Sequence, residues 1–172
     1  MLIAAFTFSA ISYSRICRGA EGFIAWQDYL IGVFSTVSLF FLVRIFDEFK
    51  DKEDDAKYRK HLPVPRGLIS FRELNIMAGV VFVFLGVVIG IFQTPMFWLF
   101  AMVIGYLLLM RVEFFVPEWL KKQHILYIIS HMVIIPLVDV YASGLDWHLA
   151  EESPHIGLAF FFAVSYMNGV VL

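Results

Sequence analysis

A single cysteine, Cys17, in 172 residues excludes an internal disulfide framework and a multi-cysteine metal centre. Charge is scarce too: 16% of the residues are Asp, Glu, Lys or Arg, and the formal net charge of −2 gives no sign of a nucleic-acid partner. The opening run MLIAAFTFSAISYS carries no basic leader, so it does not read as a signal peptide. At that length it is expected to be a spanning helix that lacks its start. The long hydrophobic runs show no apolar–polar alternation, which argues against lipid-facing barrel strands. What the chain has in excess is apolar surface. Its 60% hydrophobic content, 17% aromatic content and mean hydropathy of +0.80 exceed the roughly 45–50% apolar share of a soluble domain. It reads as an integral membrane protein.

Apolar segments fall near 1–14, 30–46, 74–92, 96–110, 125–145 and 156–172. A spanning helix needs about 20 residues, and a backbone in lipid must satisfy its own hydrogen bonds. The expected fold is therefore all-α: one polytopic transmembrane helical bundle over 1–172. Gly86 and Gly90 have the spacing that lets two helices approach closely. Trp26, Trp98, Trp119 and Trp147 sit near segment ends as interfacial anchors. Eight Lys/Arg lie in 44–73 and three in 111–124, so eleven of thirteen share one side if these loops are cytoplasmic. Only Arg15 and Arg18 fall on the other side.

Directly after the second apolar run comes RIFDEFKDKEDDAKYRKHLPVPRGLIS, residues 44–70. So many charges are excluded from mid-bilayer, where each costs about 2.5 kcal/mol or more. Asp47, Asp51 and Asp55 nevertheless continue the register of the helix at i, i+4 and i+8, on one face. Two carboxylates about 5.5 Å apart repel by about 3 kcal/mol at an effective dielectric near 20. A cation between them removes that cost, and sparse oxygen ligands suit Mg²⁺, held by one or two carboxylates together with phosphate oxygens. Lys50, Lys57, Arg59, Lys60 and Arg66 supply positive charge for a phosphate. The plainer alternative is a solvated boundary loop whose acids and bases pair, Arg44 with Asp47 for instance. Pro63, Pro65 and Gly67 mark a turn that ends the loop.

This arrangement resembles the first half of the UbiA family of intramembrane prenyltransferases. Asp47 and Asp51 match the two aspartates of that family's Asn-x-x-x-Asp-x-x-x-Asp motif, while Val43 stands at the Asn position. PVPRGLIS (63–70) is similar to the family's Pro-Leu-Pro-Ser-Gly-Arg-Ile-Ser segment, and YLLLMR aligns Tyr106 and Arg111 with its Tyr and Lys-Arg positions, Met110 replacing the Lys. FLVRIFDEFKD, IPLVDVYASGLDW and SYMNGVV look like a bacterial branch. The resemblance implies a Mg²⁺-dependent membrane enzyme, in a bacterial inner membrane with its site facing the cytoplasm. It would transfer a prenyl group from a prenyl diphosphate to a small acceptor, aromatic in many family members. It implies Asp47 and Asp51 as catalytic residues, Asp47, Asp51 and Asp55 as metal ligands, 47–70 as the catalytic motif and loop, and Arg59, Lys60, Arg66, Arg111 and Asn168 at the diphosphate. Family members have about nine helices and a second acidic motif. This chain matches about six helices and lacks that motif, so it is expected to be an incomplete domain, inactive alone.

Other polar residues have plainer readings. Asp139 is costly within a segment and hints at a site, or at a cap. His124 and His131 share a face but lack a third ligand, so helix packing is expected. His148, Glu151, Glu152 and His155 crowd a short loop and read as solvated. The competing class is a transporter or scaffold whose charged loop meets lipid head groups or partners.

Overall fold

The computed structural model describes residues 1–171. Leu172, the last residue of the expected segment 156–172, lies outside them. Nine α-helices and two 3₁₀ turns follow one another, with no strand among the described residues. They are α1 Leu2–Arg18, α2 Trp26–Lys50, α3 Lys52–Tyr58, α4 Phe71–Phe92, α5 Phe97–Arg111, α6 Pro117–Lys122, α7 His124–Met132, α8 Ile134–Trp147 and α9 Gly157–Val171. The 3₁₀ turns are Thr94–Met96 and Glu113–Phe115. Four helical stretches are long and apolar enough to cross a membrane: Trp26–Lys50, Phe71–Phe92, Thr94–Arg111 and His124–Trp147. α9 is apolar but shorter.

Local chemistry sets the ends. Gly19 takes a left-handed conformation (φ 67°) and closes α1, its amide donating to the Ile16 carbonyl at 3.1 Å. Ser70 and Glu73 form a reciprocal capping box at the start of α4: Ser70 Oγ accepts from the Glu73 amide, and Glu73 Oε2 accepts from the Ser70 amide at 2.7 Å. The Pro63–Gly67 segment is the expected turn, with Gly67 at φ 73° and the Leu68 amide donating to the Pro63 carbonyl. The apolar segment 125–145, expected as one helix, is divided into α7 and α8 at Val133. Pro136 explains the break, because its ring lacks an N–H and clashes with the carbonyl four residues earlier, at Met132.

α8 lies at the centre, packed against α1, α2, α5, α7 and α9, while α2 also meets α1, α4 and α5. Leu39, Leu42 and Ile45 of α2 and Tyr141 and Leu145 of α8 are buried in the common core with Leu107 of α5. Tyr141 Oη donates to Ser35 Oγ at 2.8 Å, so the two polar atoms buried between α8 and α2 satisfy each other. The close helix approach uses other glycines than those expected. A Cβ on Gly32 would stand 2.3 Å from Leu145 Cδ1 and one on Gly144 2.5 Å from Leu99 Cδ1, whereas one on Gly90 would meet nothing and one on Gly86 only Phe100 at 3.9 Å. α2 and α8 therefore touch through Gly32. Gly79, Gly86 and Gly105 instead line open grooves on α4 and α5.

The two bases outside the main basic clusters are neutralised inside the fold. Asp146, whose side chain is fully buried, accepts from Ser14 Oγ at 2.7 Å, Arg15 Nη1 at 2.8 Å and Arg18 Nη2 at 2.8 Å. This triad fastens the C-terminal end of α1 to the end of α8. Sequence reading set Arg15 and Arg18 apart from the other bases but missed their partner, because Asp146 is separated from them by most of the chain.

Candidate functional site at the charged end of α2

The expected acidic ridge is present in the backbone but bent. The Asp51 amide donates to the Asp47 carbonyl and the Asp55 amide to the Asp51 carbonyl, each at 2.8 Å, while Asp51 itself leaves helical geometry (φ −87°, ψ 7°) and separates α2 from α3. The bend gives the three carboxylates different surroundings. Asp47 is half-buried and paired with Lys50 Nζ at 3.4 Å, beside a small space it shares with Arg111 and His131. Asp51 lines an open cleft of about 780 Å³. Asp55 is 3% exposed and bonded to Arg59 at 3.3 Å. Among the described residues, no group of three or more His, Cys, Asp or Glu is gathered as a metal cage. Arg44 pairs with Glu48 one helical turn on, not with Asp47.

Asp51 feels these neighbours directly. Partial burial lifts its carboxyl above the usual carboxylate range; Lys50 pulls it back, and the charges of Asp47 and Asp55 push it further up. A bound cation would reverse that balance.

The bases expected at a phosphate are distributed unevenly. Arg111 lines the cleft, donates to Asn75 Oδ1 at 2.7 Å and lies over the rings of Phe46 and Phe49 at 5.2 and 5.0 Å. Arg59, Lys60 and Arg66 are exposed and do not line this cleft, and neither does Asn168, exposed on α9. Lys50, also expected, does line it, and the fold adds Lys52 and Lys121, together with His124 and Tyr127. His124, read from sequence as a packing residue, is exposed at the cleft wall. Lys50 also lies 5.5 Å from the centre of the Tyr127 ring.

Another wall of the cleft comes from the α5–α6 connection, for which the sequence carries no glycine signal. Glu113, Phe114 and Phe115 all have positive φ, 47°, 55° and 63°. A left-handed residue other than glycine costs roughly 1–2 kcal/mol. The turn is held partly by Phe114, whose ring packs edge-on against Tyr106 and His131 with centroids 5.6 and 5.9 Å away. The same turn carries Glu113 into the cleft.

An apolar groove begins where the polar cleft ends. Leu42, Phe46, Ala78, Gly79 and Leu108 line a cavity of about 210 Å³ that ends at Arg111. A second, of about 480 Å³, continues between α4 and α5 and shares Phe82, Ile104 and Leu108 with the first. Arg111 thus borders both a charged cleft and an apolar track, an arrangement that can take an amphiphile with an anionic head.

Comparison with known proteins finds no family model, curated protein or solved structure that matches this chain.

Proposed function

We propose that this protein binds a prenyl diphosphate in a magnesium-dependent manner and belongs to the machinery of prenyl transfer to a small aromatic acceptor. The observation that carries the reading is the junction at Arg111, where a cleft lined by carboxylates and bases meets an apolar groove running between α4 and α5. A polyanionic head group needs the first and a hydrocarbon tail the second. The acids along the Asp51 wall present hard carboxylate oxygens of the kind that suit magnesium, which needs only one or two carboxylates beside its waters and the phosphate. When bound, that ion would offset the charge of the diphosphate as it leaves.

The chain's own residues divide the remaining work. Asp51 holds the cation side of the head group, and Asp47, paired with Lys50, keeps that lysine oriented beneath it. Arg111 positions the phosphate at the groove mouth, its guanidinium steadied by Asn75 and by the faces of Phe46 and Phe49. Gly79 and Gly105, where an added Cβ would meet nothing within 4 Å, leave room for the tail. The site faces the cytoplasm in this reading, on the side that holds most of the bases.

Two variants test the head and the tail separately. Asp51→Asn is expected to abolish the magnesium dependence of prenyl diphosphate binding to the purified chain. Gly79→Phe is expected to weaken a prenyl diphosphate at least tenfold while leaving inorganic pyrophosphate unaffected. Equal binding of prenyl diphosphate with and without magnesium in the unmodified protein, or indifference to both variants, would overturn the assignment.

A further inference from the structure

Glu113 is a buried carboxylate that the fold leaves half-satisfied. It is 8% exposed, and its Oε2 meets no hydrogen-bond donor among the described residues. Its Oε1 stands 3.6 Å from Lys121 Nζ, beyond hydrogen-bond length, and the Lys121 side chain is itself 62% exposed. A carboxylate oxygen that has given up water without gaining a donor is unfavourable, and such a group in a native fold calls for a ligand or a stated reason. The left-handed backbone of residues 113–115 sharpens the point. Strain of this kind persists only where the surroundings hold it, and here they hold a carboxylate against the cleft rather than releasing it to solvent.

Charge around the cleft indicates what the ligand is. Its carboxylates are Asp51, Glu53, Asp54 and Glu113. Its Lys and Arg side chains are Lys50, Lys52, Arg111 and Lys121. The two sets cancel, so a phosphate entering alone adds negative charge that nothing offsets, while a divalent cation entering with it restores the balance. We propose that Glu113 is a divalent-cation ligand of this cleft, bringing its carboxylate from the α5–α6 turn while Asp51 offers its own from the α2–α3 junction. The inference rests on the reading of the cleft as a cation–phosphate site. It adds to that reading a residue outside the aspartate ridge and a reason for the strained turn.

The experiment is Mn²⁺ titration of the purified full chain in phosphatidylcholine nanodiscs, with free Mn²⁺ followed by electron paramagnetic resonance and no phosphate present. The unmodified protein is expected to bind Mn²⁺, and Glu113→Gln, nearly the same shape, to weaken it at least tenfold. Lys121→Met, an exposed change that removes only the competing positive charge, is expected to tighten it. Equal binding by Glu113→Gln and the unmodified protein, absence of Mn²⁺ binding, or weakening by Lys121→Met would each overturn the proposal. Adding prenyl diphosphate separates the two readings. Glu113-dependent Mn²⁺ binding without any diphosphate binding leaves the ligand assignment standing and removes prenyl transfer, whereas metal-dependent diphosphate binding indifferent to Glu113→Gln does the reverse.

Discussion

Replacing Asp146 with alanine is expected to destabilise this protein more than most single changes. The carboxylate is completely buried and is the shared acceptor of Arg15 and Arg18, whose side chains are only 16% and 15% exposed. Alanine leaves two largely buried guanidiniums without the carboxylate they share and removes the acceptor of Ser14 Oγ. Removing one partner of a buried ion pair typically costs about 3–5 kcal/mol, against a total folding stability of about 5–15 kcal/mol. For a chain of this size each kcal/mol moves the melting midpoint by about 2–4 °C, so the expected fall is roughly 6–20 °C. Thermal unfolding in mild detergent, read by a thiol-reactive dye at the half-buried Cys17, measures it. The triple variant Arg15→Met, Arg18→Met, Asp146→Leu separates lost charge balance from lost packing. Because well-packed apolar residues can replace a buried ion cluster at little cost, the triple variant should recover most of the loss. A midpoint for Asp146→Ala within about 2 °C of the unmodified protein corresponds to less than 1 kcal/mol. That result would refute the view that these charges are desolvated and mutually dependent.

Glycine positions make a second contrast. Gly32→Ala drives a methyl into buried Leu145 and should destabilise by about 1–3 kcal/mol, while Gly90→Ala, in open space, should be neutral or slightly stabilising in the same melting assay. Orientation is checked on a Cys17→Ser background with Lys60→Cys at the exposed loop. A membrane-impermeant maleimide should label Cys at that position in inverted vesicles and not in intact cells; the opposite pattern would reverse the cytoplasmic assignment.

The candidate site was legible in part. The i, i+4 placement of Asp47 and Asp51 could be read because helical spacing is a local property, and a helix displays it before any tertiary contact forms. The same spacing did not convey that Asp55 is buried against Arg59, because i, i+8 register says nothing of a bend at Asp51. Arg59, Lys60 and Arg66 were grouped with the acids through proximity in sequence, yet the cleft draws on Lys121 and Glu113 from another connection. No local signal marks Glu113: its left-handed backbone occurs in a stretch without glycine, and only packing by Phe114 reveals why it is tolerated.

Composition and hydrophobic run length were enough to decide that the chain is helical and apolar enough to cross a membrane, because lipid leaves the backbone few other ways to satisfy its hydrogen bonds. The division at Pro136 and the caps at Gly19 and Ser70 also follow from nearest-neighbour chemistry. Which helices touch is a different matter. Gly32 against Leu145, Asp146 between Arg15 and Arg18, and Glu113 facing the cleft that Asp51 lines all depend on distant segments meeting at side-chain precision. In a chain whose helices are apolar on nearly every side, the hydrophobic pattern does not say which face turns inward, so only tertiary packing could decide it.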